Sequence, residues 1–293
     1  MDGILVVDKP GGWTSHDVVS RMRRIAGTRK VGHLGTLDPI ATGVLPLVIG
    51  RATRLAQFYT RNEKVYQARI RFGFSTDSYD RLGLATSTAV DVALDRAELE
   101  RHVAAFVGES LQAPPPVSAK KIQGQRAYKM PREEAARQLA PVPVQIYELT
   151  LGQVAGSEAE LLARCSGGTY LRSIAHDLGQ ALGCGAHLSE LRRLRSGEFT
   201  IEQARSIPQL EELAAAGRLT EALIPAADLL PEFPAVMLDA VTGAQVRQGR
   251  DFAASPFRAA PDARYVKAIG DDGELIAIGE RVLPHMYHPV VVF

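Results

Sequence analysis

Cysteine is scarce in this chain, and so are long apolar runs. Cys165 and Cys184 are the two cysteines among 293 residues. Two are too few for a disulfide framework, and without a CxxC pair the usual zinc spacing is missing. A reducing, cytoplasmic setting is expected. No apolar segment approaches the roughly 20 residues that span a bilayer. Met1-Asp2-Gly3 runs straight into Ile4-Leu5-Val6-Val7 without a basic leader, so neither a membrane span nor a secretory signal is expected. Net charge is also nearly absent, at +1, which excludes little. The remaining composition, 46% hydrophobic and 23% charged, is globular and suits one large domain or a large domain plus a small one.

Charge is informative in its distribution. Between residues 18 and 62 stand Arg21, Arg23, Arg24, Arg29, Lys30, Arg51, Arg54 and Arg61, against a single acid, Asp38. A second acid-free tract, residues 110–132, carries Lys120, Lys121, Arg126, Lys129 and Arg132. A third cluster is Arg192, Arg193 and Arg195. The compensating acids lie in 91–100, 211–232 and 271–274. Several separate solvated faces would also give this pattern, but acid-free tracts of this length favour a polyanion-binding face.

Strands and helices mix without regular βαβ alternation, which predicts an α+β fold with a largely antiparallel sheet. Residues 3–8 read as a buried strand closed by Lys9-Pro10-Gly11-Gly12. Thr14 or Ser15 then caps a helix with Val18, Val19, Met22 and Ile25 on one face, ended by Gly27. Residues 28–43, with three glycines and a proline, read as a loop, 44–49 as a strand and 51–59 as helical. From Val65, alternation sets Tyr66, Ala68, Ile70, Phe72 and Phe74 against Gln67, Arg69 and Arg71, the mark of a half-buried strand. Asp95 with Glu98 suggests a capping box for a helix through Leu99, Val103 and Phe106. Pro114-Pro115-Pro116 interrupts the chain; strands are expected at 142–151 and 160–165 and a helix at 170–182. Beyond about Pro225, short strand candidates at 236–238, 245–247, 265–269, 275–279 and 290–293, with an Asp272-Gly273 turn, predict a small β-rich domain. The expected division is 1–225 and 226–293.

The stretch Gly32-His33-Leu34-Gly35-Thr36-Leu37-Asp38-Pro39-Ile40-Ala41-Thr42-Gly43 carries the strongest chemical signal. A phosphate-cradling loop lacks its Gly-Lys-Ser/Thr ending. A metal site lacks a third ligand near His33 and Asp38. A structural turn, with Asp38 capping the next element, is the plainest option for an Asp before Pro. The setting weighs against it, because a lone anion inside a cationic surface is costly to a polyanion binder unless it has work to do.

This stretch resembles the signature loop of the tRNA pseudouridine synthase B (TruB) family. Further blocks in family order are Leu5-Val6-Val7-Asp8-Lys9-Pro10 with Trp13-Thr14-Ser15; Lys64-Val65-Tyr66; Phe72-Gly73; Thr76-Asp77-Ser78-Tyr79-Asp80; Pro115-Pro116-Val117-Ser118-Ala119-Lys120-Lys121 with Gly124, Arg126, Ala127 and Tyr128; Cys165-Ser166-Gly167-Gly168-Thr169-Tyr170-Leu171-Arg172-Ser173; and Gly185-Ala186-His187-Leu188 through Leu191-Arg192-Arg193-Leu194. The resemblance implies a pseudouridine synthase catalytic domain with flanking helices, an RNA-gripping insert at about 110–140, and a PUA-like RNA-binding domain at the C-terminus. It implies isomerisation of uridine 55 in the T-loop of tRNA, without cofactor or metal. Asp38 would be the nucleophile, Arg172 its ion-pair partner, and Tyr66 the stacking and proton-transfer residue. Tyr170 and Leu191 would line the uracil pocket, Lys9 would support the site, and His33 would wedge into the stack vacated by the flipped base.

From pattern alone Tyr66 and Leu191 are core positions and Arg172 a local ion-pairing residue. Asp77 and Asp80 are expected to organise the loop after their strand. Lys120 and Met130-Pro131 depart from the family pattern within the insert. A non-catalytic RNA-binding or RNA-folding protein is the rival reading, and the guide-RNA-dependent branch of the same family a third. That branch usually carries basic tails, whereas this sequence ends Val292-Phe293, so stand-alone action as a monomer, with tRNA as the partner, is expected.

Overall fold

The computed structural model describes residues 1–60, 62–118, 120–122, 125–126, 130–131, 134, 138–254 and 263–293. Arg61 and the side chains of Lys121, Arg126, Lys129 and Arg132 lie outside the described residues, as does much of the expected insert.

The first apolar run forms β1 (Gly3–Lys9), buried along nearly its whole length. Helix α1 (Ser15–Ile25) follows, with a reciprocal cap: the Thr14 hydroxyl accepts from the Asp17 amide, and the Asp17 carboxylate accepts from the Thr14 amide. Val18, Val19 and Met22 form its buried face. The loop expected over 28–43 is shorter than that. Val31–His33 (β2) pairs antiparallel with Leu47–Ile49, and β3 (Ala41–Ile49) starts three residues before the expected 44. Ladder pairing satisfies backbone groups that a buried loop would leave orphaned. Irregular backbone remains at 28–30 and 34–40. A 3-10 helix, Gly50–Tyr59, then leads to β4 (Lys64–Phe72), whose alternate residues are buried as predicted.

Helix α2 (Arg96–Ala104) is capped by Asp95, which accepts from the Glu98 amide. After it come β5 (Gly108–Gln112), a short hairpin of β6 (Lys121–Ile122) and β7 (Gln125–Arg126), then β8 (Val142–Ala155) and β9 (Glu158–Cys165). Helix α3 (Leu171–Ala181) starts from Tyr170 as its N-cap. The long strand β10 (Ala186–Ser196) was not expected; β11 (Phe199–Thr200), α4 (Ile207–Ala215) and β12 (Leu223–Pro225) complete this part.

The large sheet runs β12-β1-β3-β10-β4-β9-β8-β5, with β2 beside β3 and β11 beside β10. Among the described residues its pairings are antiparallel except β3 with β10. Helices α1 to α4 bury their apolar faces on one side, where Val18, Met22, Leu99, Ile174, Leu178 and Leu210 meet Leu5, Leu47, Ala68, Ile70 and Phe72. The α+β expectation holds.

A second sheet contains β13 (Ala235–Met237), β14 (Phe252–Ala253), β15 (Tyr265–Ile269), β16 (Leu275–Leu283) and β17 (Met286–Val292), in the order β13-β15-β16-β17-β14. It shares a core with the other face of the large sheet: Ile4, Val6, Val44 and Val48 pack with Ile269, Leu275, Ile278 and Phe293. The strand expected at 245–247 is instead the end of helix α5 (Ala240–Arg247). Asp239 accepts from the Thr242 amide at 2.7 Å, and this N-cap commits the segment to a helix. Among the described residues, no helix is long and apolar enough to cross a membrane.

Gly43 sits where β3 passes β10. Its φ is +97°, and a Cβ there would lie 2.2 Å from the carbonyl oxygen of Arg193. Gly43→Ala therefore combines backbone strain with a collision against main chain. It is expected to lower the stability read from a denaturant melt by more than about 1 kcal/mol. An alanine at exposed Gly11, which lacks a positive φ and whose Cβ would meet Thr42 Cγ2 at an ordinary 3.7 Å, leaves the midpoint much closer to that of the parent.

Candidate active site

The 34–40 loop is fixed by its backbone. The Ser15 hydroxyl accepts from the Leu37 amide at 2.8 Å and donates to the Leu37 carbonyl at 3.1 Å. The Gly12 amide donates to the Pro39 carbonyl at 2.8 Å. From β10, Arg193 Nε donates to the Val44 carbonyl at 2.7 Å and Nη2 to that of Gly35 at 3.1 Å. Gly35 makes the turn possible with a φ of +123°. None of these bonds uses the Asp38 carboxylate, which keeps 32% of its side chain exposed.

That carboxylate faces Arg172, from the first turn of α3. Arg172 Nη2 donates to Asp38 Oδ1 at 3.0 Å, and Nε stands 2.9 Å from Oδ2 without being aligned as a hydrogen bond. The guanidinium is 3% exposed. Its remaining nitrogen, Nη1, donates to the Ser78 carbonyl at 3.2 Å and lies 3.5 Å from Asp80 Oδ2. Asp80 is itself held by the Ser78 hydroxyl at 2.7 Å and the Leu82 amide at 3.0 Å. One buried cation thus joins two carboxylates, and Asp80 contributes more than loop organisation.

Asp38 opens into a cavity of about 230 Å³ walled by Tyr66, Tyr170, Leu191, Arg172, Lys64 and Arg193. This is smaller than the ~300–1,000 Å³ of most small-molecule sites and suits one planar ring rather than a bulky cofactor. Tyr66 comes from the core-facing side of β4. Leu191 stands on β10 in register with Ala41 of β3. Tyr170 is oriented by Gln112, whose amide donates to the Tyr170 carbonyl at 3.0 Å and whose oxygen accepts from its N–H at 2.8 Å.

Lys9 and His33 lie outside this lining. The fully buried Lys9 donates to the carbonyls of Pro10 at 2.8 Å and Trp13 at 2.6 Å. It supports the turn beneath the loop and adds positive potential toward Asp38. His33 ends β2, and its Nδ1 has no hydrogen-bond partner among the described residues.

Burial raises the Asp38 carboxyl above its ordinary value; Arg172 opposes that shift and the nearby Asp80 charge adds to it. Burial lowers the ammonium groups of Lys9 and Lys64 to about 8. Burial also raises the Tyr66 phenol and lowers His33, assisted by the charges of Arg193 and His16. The result is a carboxylate held against a guanidinium, beside a protonated phenol, in a slot open to one ring. Such a set can perform nucleophilic and proton-transfer chemistry. No cluster of three metal-binding side chains occurs among the described residues.

Three wall or support residues escaped the sequence reading: Asp80 as a contact of Arg172, Lys64, and Arg193. Arg193 reads as one of a cluster of cations on a polyanion-binding face and Lys64 as part of a family block, yet they are 1% and 5% exposed. Neither has a sequence signal beyond its place in a family block.

Comparison with known proteins places these residues in context. The family model described as TruB family pseudouridylate synthase (N terminal domain) matches residues 23–171. That described as tRNA pseudouridylate synthase B C-terminal domain matches 172–231. A tRNA pseudouridine synthase B of Solibacter usitatus is 64% identical over 292 residues, covering 100% of both chains. One of Aquifex aeolicus is 40% identical, covering 96% of each. Among solved structures, a chain of a Cbf5-Nop10-Gar1 complex aligns with a TM-score of 0.73 at 27% identity, covering 97% of this chain and 79% of that one. A chain of an H/ACA RNP bound to a substrate RNA containing 2'-deoxyuridine aligns with a TM-score of 0.72 at 26% identity, covering 99% and 84%.

Proposed function

The chain belongs to the TruB family of pseudouridylate synthases, and from that premise we propose that it isomerises uridine 55 of the tRNA T-loop to pseudouridine. The observation that carries the reading is the Asp38–Arg172 pair at the mouth of a ring-sized slot. The target base leaves its stack at a cost of ~a few kcal/mol and enters beside Asp38, between the Tyr66, Tyr170 and Leu191 side chains. Arg172 keeps the acid ionised and aimed, so Asp38 acts as the nucleophile. The carboxylate bonds to C1′ as the N1–C1′ bond breaks with its electrons left on N1. The ring turns, C5 bonds to C1′ as the carboxylate leaves, and one proton passes from C5 to N1 by way of Tyr66. His33, neutral and planar at the loop's edge, fills the vacated stack, and Lys9 supports the loop from below. No step calls for a metal or an organic cofactor. Residues 1–225 form the catalytic part, and 226–293 a PUA-like module that contacts the arm at a distance from the reaction.

Stand-alone action on tRNA in the cytoplasm is preferred over guide-RNA-directed action within a particle. Curated tRNA enzymes align at 40% and 64% identity along nearly their whole length, against 26–27% for the chains from the H/ACA and Cbf5 complexes. The test incubates purified protein with unmodified tRNA and maps pseudouridine by carbodiimide-dependent primer extension. A stop at uridine 55 is expected with no other component added. A requirement for guide RNA or accessory protein would move the chain to the other branch.

A further inference from the structure

Arg193 is among the largest fully buried side chains of the molecule, at 1% exposure. Among the described residues, its hydrogen bonds go to carbonyl oxygens, and no carboxylate pairs with it. It is directly opposite Tyr66 across the β10–β4 ladder, where facing Cβ atoms are about 4.5–5.5 Å apart. The strand register shifts immediately after it, between Arg193 and Arg195. Irregularities of this kind re-aim side chains. The guanidinium spends Nε on Val44, Nη2 on Gly35 and a longer Nη1 contact on Thr36, and its charge, beside Tyr66 across the ladder, favours the ionised phenol. Both residues wall the slot that Asp38 opens into.

We infer that Arg193 is a positioning residue that acts on the reaction through Tyr66, a buried cation fixed beside the phenol that stabilises the phenolate formed when its hydrogen is passed on. The inference rests on the proton-transfer role given to Tyr66 above. After C5 has bonded to C1′, N1 is joined to C6 by a double bond and C5 carries both the sugar and its original hydrogen. Tyr66 gives its proton to N1, the N1=C6 pair moves toward N1, and a phenolate remains beside Arg193. The phenolate then takes the C5 proton, and the C5–H pair becomes the C5=C6 double bond. One proton has moved from C5 to N1, Tyr66 is restored, and no oxidant or reductant is needed. Burial keeps the phenol protonated at rest, as a donor must be, and the fixed guanidinium lowers the barrier to its transient ionisation.

The test compares wild type, Arg193→Lys and Arg193→Met in single-turnover assays on tRNA carrying ordinary or C5-deuterated uridine. Arg193→Met is expected to slow the reaction by ~10²–10³-fold, the usual effect of losing one preorganised donor, and to enlarge the deuterium isotope effect as C5–H cleavage becomes limiting. Arg193→Lys keeps a charge but loses the fork, so it should fall between the other two in both measures. In a Tyr66→Phe background, Arg193→Met should cost far less than in the wild type. Slowing without any change of isotope effect in either variant, or an undiminished cost once the Tyr66 hydroxyl is gone, would reduce Arg193 to a clamp on the loop. If Arg193→Met melts below the assay temperature, the isotope effect of folded Arg193→Lys decides. A wild type that forms no pseudouridine instead removes the functional reading itself.

Discussion

Asp38→Asn is expected to abolish pseudouridine formation, by at least about 10⁴-fold in single-turnover rate, on the scale seen when a nucleophile is removed from a preorganised site. The asparagine is isosteric, and the loop that presents it is held by Ser15, Gly12 and Arg193 through main-chain atoms. Its geometry therefore survives the substitution. What is lost is the negative charge on the attacking oxygen. Arg172 keeps the Ser78 carbonyl and Asp80 as partners, so the melting temperature should change little and tRNA should bind about as before. Rapid-quench analysis with a filter-binding titration separates the two quantities. Retained turnover would take Asp38 out of the mechanism, whereas a wild type that binds tRNA without forming pseudouridine would favour a binding or RNA-folding role.

Arg172→Met should damage both stability and activity. It leaves Asp38 and Asp80 facing each other without the cation between them, in a place where breaking a buried pair costs about 3–5 kcal/mol. Arg172→Lys, more readily kept folded, isolates the electrostatic part. As the proposed nucleophile Asp38 must be ionised to react, so the rate is expected to fall as pH drops through its pKa. Burial has already raised that pKa, and Arg172 is the largest influence lowering it. Weakening that influence moves the acid limb of kcat/KM to higher pH. The wild-type limb is expected above the ordinary aspartate value of ~3.9, and that of Arg172→Lys above the wild type's. A limb at the same pH in both proteins would disconnect Arg172 from the titration of Asp38.

Strand β4 was legible because Tyr66, Ala68, Ile70 and Phe72 obey a period of two with nothing interrupting it. Helix α1 was legible because Thr14 and Asp17 sit at capping spacing before an apolar stripe. Strand β10 was not. Its register shifts between Leu188 and Glu190 and again between Arg193 and Arg195, so Ala186, Leu188, Leu191 and Leu194 follow neither a strict strand period nor a helical one. Local capping likewise overrode the apparent strand at 245–247. For the site, the family motifs carried Asp38, Arg172, Tyr66, Tyr170 and Leu191 to residues that the fold brings around one cavity. Asp80 and Arg193 were illegible as partners because their contacts join residues far apart in the sequence. Asp80 reaches Arg172, and Arg193 reaches Val44 and Gly35 across 149 and 158 positions. Nothing local marks an arginine as buried.

The place of β10 bears on how the molecule comes into being. It lies between β3 and β4, which are near neighbours along the chain, and it brings Leu191 and Arg193 with it. A nascent polypeptide that has emerged only as far as α3 already carries Asp38, Tyr66 and Arg172, but the gap between β3 and β4 is still waiting for its middle strand. Contacts spanning so much sequence form slowly, and this one includes the parallel seam of the sheet. Competence for the reaction is therefore a late event in folding, and fragments cut before residue 196 should lack it however well their helices form.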